Sequence, residues 1–184
     1  MKKAWLIVLA VILVLGLSAV GSYNNLVKMN ETVNGNWAQI NVQLQRRADL
    51  IPNLVNTVKG YAAHEQEILN NLANARASLL GAKTPADAAA ANDELSSTLS
   101  RLLVIVENYP NLKADANFRQ LMDELAGTEN RIAVARKDYN DSVQTFNARI
   151  KSFPTTIWAG MFGFDAREYF QADESAQTVP QVNF

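Results

Sequence analysis

A single His and no Cys leave few residues that could carry chemistry. These counts exclude disulfide scaffolds, thiolate zinc sites, iron–sulfur clusters and Cys–His nucleophilic catalysis. They also exclude a ferritin-like di-iron bundle, which takes a His from each of two Glu-x-x-His motifs. His64-Glu65-Gln66-Glu67 is the one His–carboxylate cluster, and it could supply two metal ligands at most. A turn or helix start is the better reading of it. Gln43, Gln45, Arg46, Arg47 and Asp49 gather just before Pro52. An Arg–Asp pair there could anchor a partner, although exposed ion pairs on a helix usually mark only a solvated face.

Thr128-Glu129-Asn130 is more informative, because it falls where inward positions belong, between Leu125 and Ile132. One of Thr128 and Glu129 should be part-buried, with Arg47 or Arg136 as its partner. Such a layer reads first as a device that fixes helix register and only second as a binding pocket. On the first reading, Glu129→Leu leaves stability unchanged or raised while helix register becomes less uniform. Asn30-Glu31-Thr32 and Asn140-Asp141-Ser142 match glycan acceptor triplets, which are frequent by chance. There is no phosphate loop, no nucleophile elbow and no pair of catalytic carboxylates. The expected catalytic, cofactor-binding and metal-ligating residues are therefore none, and no enzyme is expected.

The elements that hold these residues follow from composition and period. The chain has 184 residues, 48% apolar and 19% charged, enough for one domain with an appendage. Eight Gly and five Pro are too few for an all-β fold with many tight turns. With 17 basic against 18 acidic residues there is no basic footprint, so nucleic acid is not an expected partner.

Leu26, Val33, Trp37, Ile40, Leu44, Ala48, Ile51, Leu54, Val58 and Tyr61 recur mostly at spacings of three and four. That register runs past Pro52, which predicts a kink rather than a break. A second helix fits Glu65 to Leu80, with Ile68, Leu69, Leu72, Ala75 and Leu79 inward. Thr84-Pro85-Ala86-Asp87 is a helix start: hydroxyl cap, Pro in the first turn, acid near the dipole. The third helix carries Leu95, Leu99, Leu102 and Ile105 or Val106, and stops at Tyr109-Pro110. A fourth runs from about Asn117 to Ser152, with Phe118, Leu121, Leu125, Ile132, Ala135, Tyr139, Phe146, Ile150 and Phe153 inward.

Before all of these stands Met1-Lys2-Lys3 and then Ala4 to Val20, a run without a charge. Extended to Tyr23 it reaches 20 residues, enough to cross a ~30 Å hydrocarbon core as a helix. Ala19 and Gly21 could serve a signal-peptide cleavage site, but the run exceeds the usual core of about 7–15 residues. An uncleaved anchor is expected, with the two lysines on the cytoplasmic side. Removing Lys2 and Lys3 leaves 15 basic against 18 acidic residues outside, a formal charge of −3.

The first and fourth helices, at about 55–60 Å, outreach the second at about 24 Å and the third at about 35 Å. Their membrane-proximal ends need another cover. The last 32 residues hold seven of the fifteen aromatics. Trp158, Phe162, Phe164 and Phe170 are expected to fold back as that cover, and Thr178–Phe184 reads as extended. A foot in the lipid interface is the alternative for this tail.

The expected fold is all-α: one N-terminal transmembrane helix, then an antiparallel, up-down-up-down four-helix bundle with an aromatic C-terminal tail. Its parts are a cytoplasmic stub at 1–3, a transmembrane signal anchor at 4–23, the bundle at 24–152 and the tail at 153–184, packed at the membrane-proximal end.

Several runs resemble the LemA family. They include Tyr23-Asn24-Asn25-Leu26-Val27, the stretch from Trp37 through Gln45-Arg46-Arg47-Ala48-Asp49-Leu50-Ile51-Pro52 to Val55, and Val58-Lys59-Gly60-Tyr61-Ala62 with His64-Glu65. Tyr109-Pro110-Asn111-Leu112-Lys113-Ala114, Thr128-Glu129-Asn130-Arg131-Ile132-Ala133, Ala135-Arg136, Tyr139-Asn140 and Phe153-Pro154 continue the likeness over almost the whole chain. Phe146 departs from it, standing where Tyr is usual.

The resemblance implies a bacterial envelope protein with one transmembrane helix, an up-and-down helical soluble part and no established reaction. Relatives in magnetosome-forming bacteria, linked to building internal membranes, suggest a scaffold role by analogy. The expected function is thus a membrane-anchored, non-enzymatic interaction or scaffold module of the bacterial cell membrane, single-pass, its bulk outside. Its partners would be the bilayer through residues 4–23, and other envelope proteins or copies of itself. A self-assembling, membrane-shaping scaffold is the alternative. An enzyme or small-ligand binder using the Thr128/Glu129 layer comes third.

Overall fold

The computed structural model describes residues 2–171, and every regular element among them is a helix. In order these are α1 (Lys2–Tyr61), α2 (Gln66–Gly81), α3 (Pro85–Val106), α4 (Pro110–Ala114), α5 (Ala116–Lys151) and α6 (Thr155–Phe162). The expected strand-like stretch at Thr178–Phe184 lies outside the described residues. Residues 2–36 with 138–168 make one compact unit, and 37–137 with Tyr169 and Phe170 belong to a second. Helices α1 and α5 each contribute to both.

In the second unit the periodic pattern becomes burial almost residue for residue. Ile40, Leu44, Ala48, Ile51, Leu54 and Val58 of α1 are buried, as are Ile68, Leu69, Leu72, Ala75 and Leu79 of α2. Tyr61, expected inward, is exposed instead. It is the last residue of α1, and its hydroxyl reaches out to the Asp115 carboxylate at 2.9 Å. Helices α2 and α3 pack on each other. The start of α3 carries the full reciprocal cap: the Asp87 amide donates to Thr84 Oγ1 at 3.1 Å, and the Thr84 amide to Asp87 Oδ2 at 3.3 Å. A cap of this kind contributes about 1 kcal/mol. Pro110, read from the sequence as a stop, also opens the five-residue α4, because a first-turn position needs no amide donor.

Helix α1 runs through Pro52 without interruption. A proline there cannot donate to the carbonyl of Ala48, four residues back, and an orphaned buried carbonyl is costly. Arg76 of α2 supplies the missing donor, its Nε lying 2.9 Å from the Ala48 oxygen. The helix survives its proline because a neighbouring helix satisfies the freed group. Arg76→Met is accordingly expected to cost about 1–2 kcal/mol. The cost should shrink when Pro52→Ala restores the intrahelical donor. A double-mutant cycle by denaturant unfolding measures that coupling.

In the first unit Leu26 and Val33 of α1 and Val143, Phe146 and Ile150 of α5 form the core. The chain after α5 lies against it. Phe164 meets Phe146 edge-on, ring centroids 6.3 Å apart, and Tyr23 at 6.0 Å. Asn147 clasps the backbone of Arg167 from both sides, donating to its carbonyl at 2.9 Å and accepting from its amide at 2.8 Å. Tyr139 donates to the carbonyl of Glu168 at 2.8 Å. Gly163, at φ 73°, closes α6 in the left-handed conformation that glycine adopts without strain.

One expectation fails here and one holds in part. Phe153 was placed inward yet is 80% exposed, because α5 ends at Lys151 and the helical register that predicted its direction ends there too. Phe162 is 41% exposed but packs edge-on against Tyr23, so it covers the end of the core on one side only.

Candidate functional site

The polar residues singled out in the sequence converge on Arg47 in the second unit. Its side chain is only 4% exposed. Helix α1 delivers it one turn before Pro52, on the stripe that also buries Leu44, Ala48 and Ile51. Helix α3 brings Asn92 and Ser96, four residues apart and so on one face. Nη1 of Arg47 donates to Asn92 Oδ1, Nη2 donates to Ser96 Oγ at 3.1 Å, and the Ser96 hydroxyl donates onward to the Asn92 carbonyl at 2.9 Å. Helix α5 brings Glu129, whose carboxylate forms an ion pair with Nη1. Its side chain is 44% exposed, so a little more than half is buried. Thr128 beside it is fully buried and donates back to the Leu125 carbonyl at 2.7 Å.

Burial pulls the Arg47 pKa below its ordinary value, while the carboxylates of Glu129 and Asp93 act against that pull. A guanidinium still stays charged under any ordinary condition. The layer therefore holds a fixed positive charge in a nearly dry setting. The chain's one His, His64, lies outside it, exposed in the turn between α1 and α2. Among the described residues no three His, Asp or Glu side chains gather as a metal site.

Sequence reasoning named Arg47, Thr128 and Glu129, and the structure brings them together. It does not bring Arg136 to Glu129. Arg136 instead sits over the ring of Phe170, 5.9 Å from its centre. Asn92 and Ser96 were missed. The available signal was a polar Asn among the inward-facing Ala88, Ala89 and Leu95 of α3. Arg46 and Asp49 lie on the exposed face, Asp49 accepting from Gln45 at 2.9 Å.

In the His64-Glu65 turn, Glu65 accepts from the Tyr109 hydroxyl at 2.7 Å. Beside it Asp115 caps α5, accepting from the Phe118 amide at 2.8 Å and from Tyr61. The amide bond, then the Tyr61 hydroxyl, hold the Asp115 carboxyl below its usual range. A depressed carboxyl stabilises the fold above its unfolded value of about 3.9, and that contribution is lost as pH falls through the folded value. The melting temperature of Asp115→Asn should therefore lie below that of the parent at neutral pH, and the gap should close as the solution is acidified below about pH 4.

The described residues are helical in every regular element, with a part-buried charged layer in the second unit and one helix long and apolar enough to cross a membrane. The sequence profile of the LemA family matches residues 36–184, and the chain belongs to that family. It is 28% identical over 189 aligned residues to magnetosome protein MamQ 2 of Paramagnetospirillum magneticum, covering 87% of this chain and 70% of that one. It is 27% identical to magnetosome protein MamQ of Magnetospirillum gryphiswaldense, with the same coverage. Identity to protein LemA of Metamycoplasma hominis is 24%, over 84% of this chain and 71% of that relative.

Proposed function

We propose that this chain is a membrane-anchored, non-enzymatic scaffold or interaction module of the bacterial envelope. The observation that carries the reading is the N-terminal part of α1. From Trp5 to Val20 its described large apolar side chains are all exposed, with no protein packed over them. Such a surface suits lipid and not water. Lys2 and Lys3 favour a cytoplasmic N-terminus, which puts the remaining chain outside. The soluble part is read as an up-and-down four-helix bundle of α1, α2, α3 and α5. Arg47, linking α1 to α3 and α5, and Arg76, linking α2 to α1, support that reading.

The Arg47 layer specifies how the helices assemble rather than binding a ligand. Its terminal nitrogens are already engaged by Asn92, Ser96 and Glu129. Other envelope proteins, or further copies of this chain, are the partners the reading calls for. The relatives named as magnetosome proteins favour a second version, in which self-assembly shapes the membrane.

Carbonate extraction and C-terminal reporter fusions test the anchor and its orientation. The chain should stay with the membrane, and the reporter should be active outside the cytoplasm. A chain released by carbonate sinks the proposal. Light scattering of the full-length protein in detergent separates the versions: a monomer favours an interaction module, a discrete oligomer the assembling scaffold.

A further inference from the structure

Helix α6 is buried on one side and apolar on the other. Thr155 and Ala159, four residues apart, are buried against the first unit. Ile157 and Met161, also four apart and therefore on one face, are 52% and 66% exposed. Phe153, just before the helix in the chain, is 80% exposed. A water-soluble helix normally turns polar residues outward, so this face lacks its solvent.

The contacts of α6 indicate what covers it. At its C-terminal end Phe162 packs edge-on against Tyr23, ring centroids 5.0 Å apart. Tyr23 is the residue at which the 20-residue apolar run of α1 ends. Aromatic rings collect at that depth, where hydrocarbon gives way to headgroups. Arg149 and Lys151, both exposed, end α5 immediately before Phe153, placing positive charge beside the apolar face. Basic residues flanking an apolar surface match an anionic headgroup layer.

We propose that the exposed Ile157–Met161 face of α6, with Phe153 just before it, lies in the headgroup–acyl boundary of the same bilayer that α1 crosses, as a second contact that sets the depth of the first unit. The inference rests on α1 being the anchor. A helix fastened to Tyr23 meets that bilayer before it meets any soluble partner. The foot uses α6 and Phe153, while Phe164 packs inward.

The absence of Cys makes a direct test practical. Single Ile157→Cys and Met161→Cys variants of the full-length chain are spin-labelled and reconstituted into vesicles of phosphatidylethanolamine and phosphatidylglycerol. Val14→Cys serves as the hydrocarbon reference and Glu67→Cys as the aqueous one. Collision with oxygen, which concentrates in lipid, is compared with collision with a water-soluble nickel chelate. The oxygen-to-nickel ratio at both α6 positions should be severalfold above that at Glu67 and below that at Val14. A ratio equal to that at Glu67, with Val14 still in lipid, overturns the foot and leaves the anchor intact. If Val14 itself reads as aqueous, the anchor fails and the foot with it. Low collision with both reagents, together with broadening from labels on neighbouring copies, assigns the face to a second copy and also overturns the proposal.

Discussion

Replacing Glu129 with Leu lowers the stability of the full-length chain by about 2–3 kcal/mol, because it leaves the Arg47 guanidinium buried without its counter-charge. The loss stays below the range for a fully buried pair because the Glu129 side chain is 44% exposed and partly hydrated. Sequence reasoning anticipated a neutral or stabilising outcome for this substitution. That outcome belongs instead to the double variant Arg47→Met with Glu129→Leu, which removes both charges and keeps apolar volume. Its stability should lie within about 1 kcal/mol of the parent or above it, since well-packed apolar groups often replace a buried ion pair without loss. Asn92, itself buried, keeps the Ser96 network on one side but loses Arg47, which tempers the gain. Urea unfolding followed by far-ultraviolet circular dichroism, in detergent and at fixed protein concentration, measures all three chains. A Glu129→Leu protein as stable as the parent would mean that water reaches Arg47 and that no dry polar layer exists.

Phe170→Ala should cost about 3–5 kcal/mol, the transfer term of a buried ring plus the cavity it leaves. Phe170 is 1% exposed, packs against Trp37 at a centroid distance of 6.4 Å and lies beneath the Arg136 guanidinium. The cation–π contact adds about 0.5–1 kcal/mol. Phe164→Ala should cost less, about 1.5–3 kcal/mol, because that ring is only partly buried in its own unit. Thermal melts of the two variants rank them, and an unchanged melt for Phe170→Ala would show that the Phe170 ring contributes nothing to the fold. Phe170→Leu should recover much of the loss if volume is what matters, since Leu refills part of the cavity.

Periodicity by itself determined the four longer helices, α1, α2, α3 and α5, and most of their buried faces, but not α4 or α6. Apolar residues three and four apart can satisfy only a helix, and α2 buries the five residues its pattern marks. Local chemistry determined the start of α3, because Thr84, Pro85 and Asp87 interact only with their own first turn. A polar pair at Thr128 and Glu129 inside an apolar stripe likewise announced a polar layer. Tertiary structure alone decided which groups complete it. Arg47 and Arg136 carry the same charge on plausible faces, and nothing in one dimension ranks a partner about 80 residues away. Helix α3 had to be in place before Asn92 and Ser96 could each take a donor from one terminal nitrogen and leave Glu129 to pair with Nη1. The same holds at Pro52: the sequence carried the missing amide, while the group that satisfies the Ala48 carbonyl comes from Arg76, on another helix. Beyond Lys151 the period of α5 ends, and with it the rule that set side-chain direction along that helix. Only packing then turned Phe164 and Phe170 inward and left Phe153 facing out.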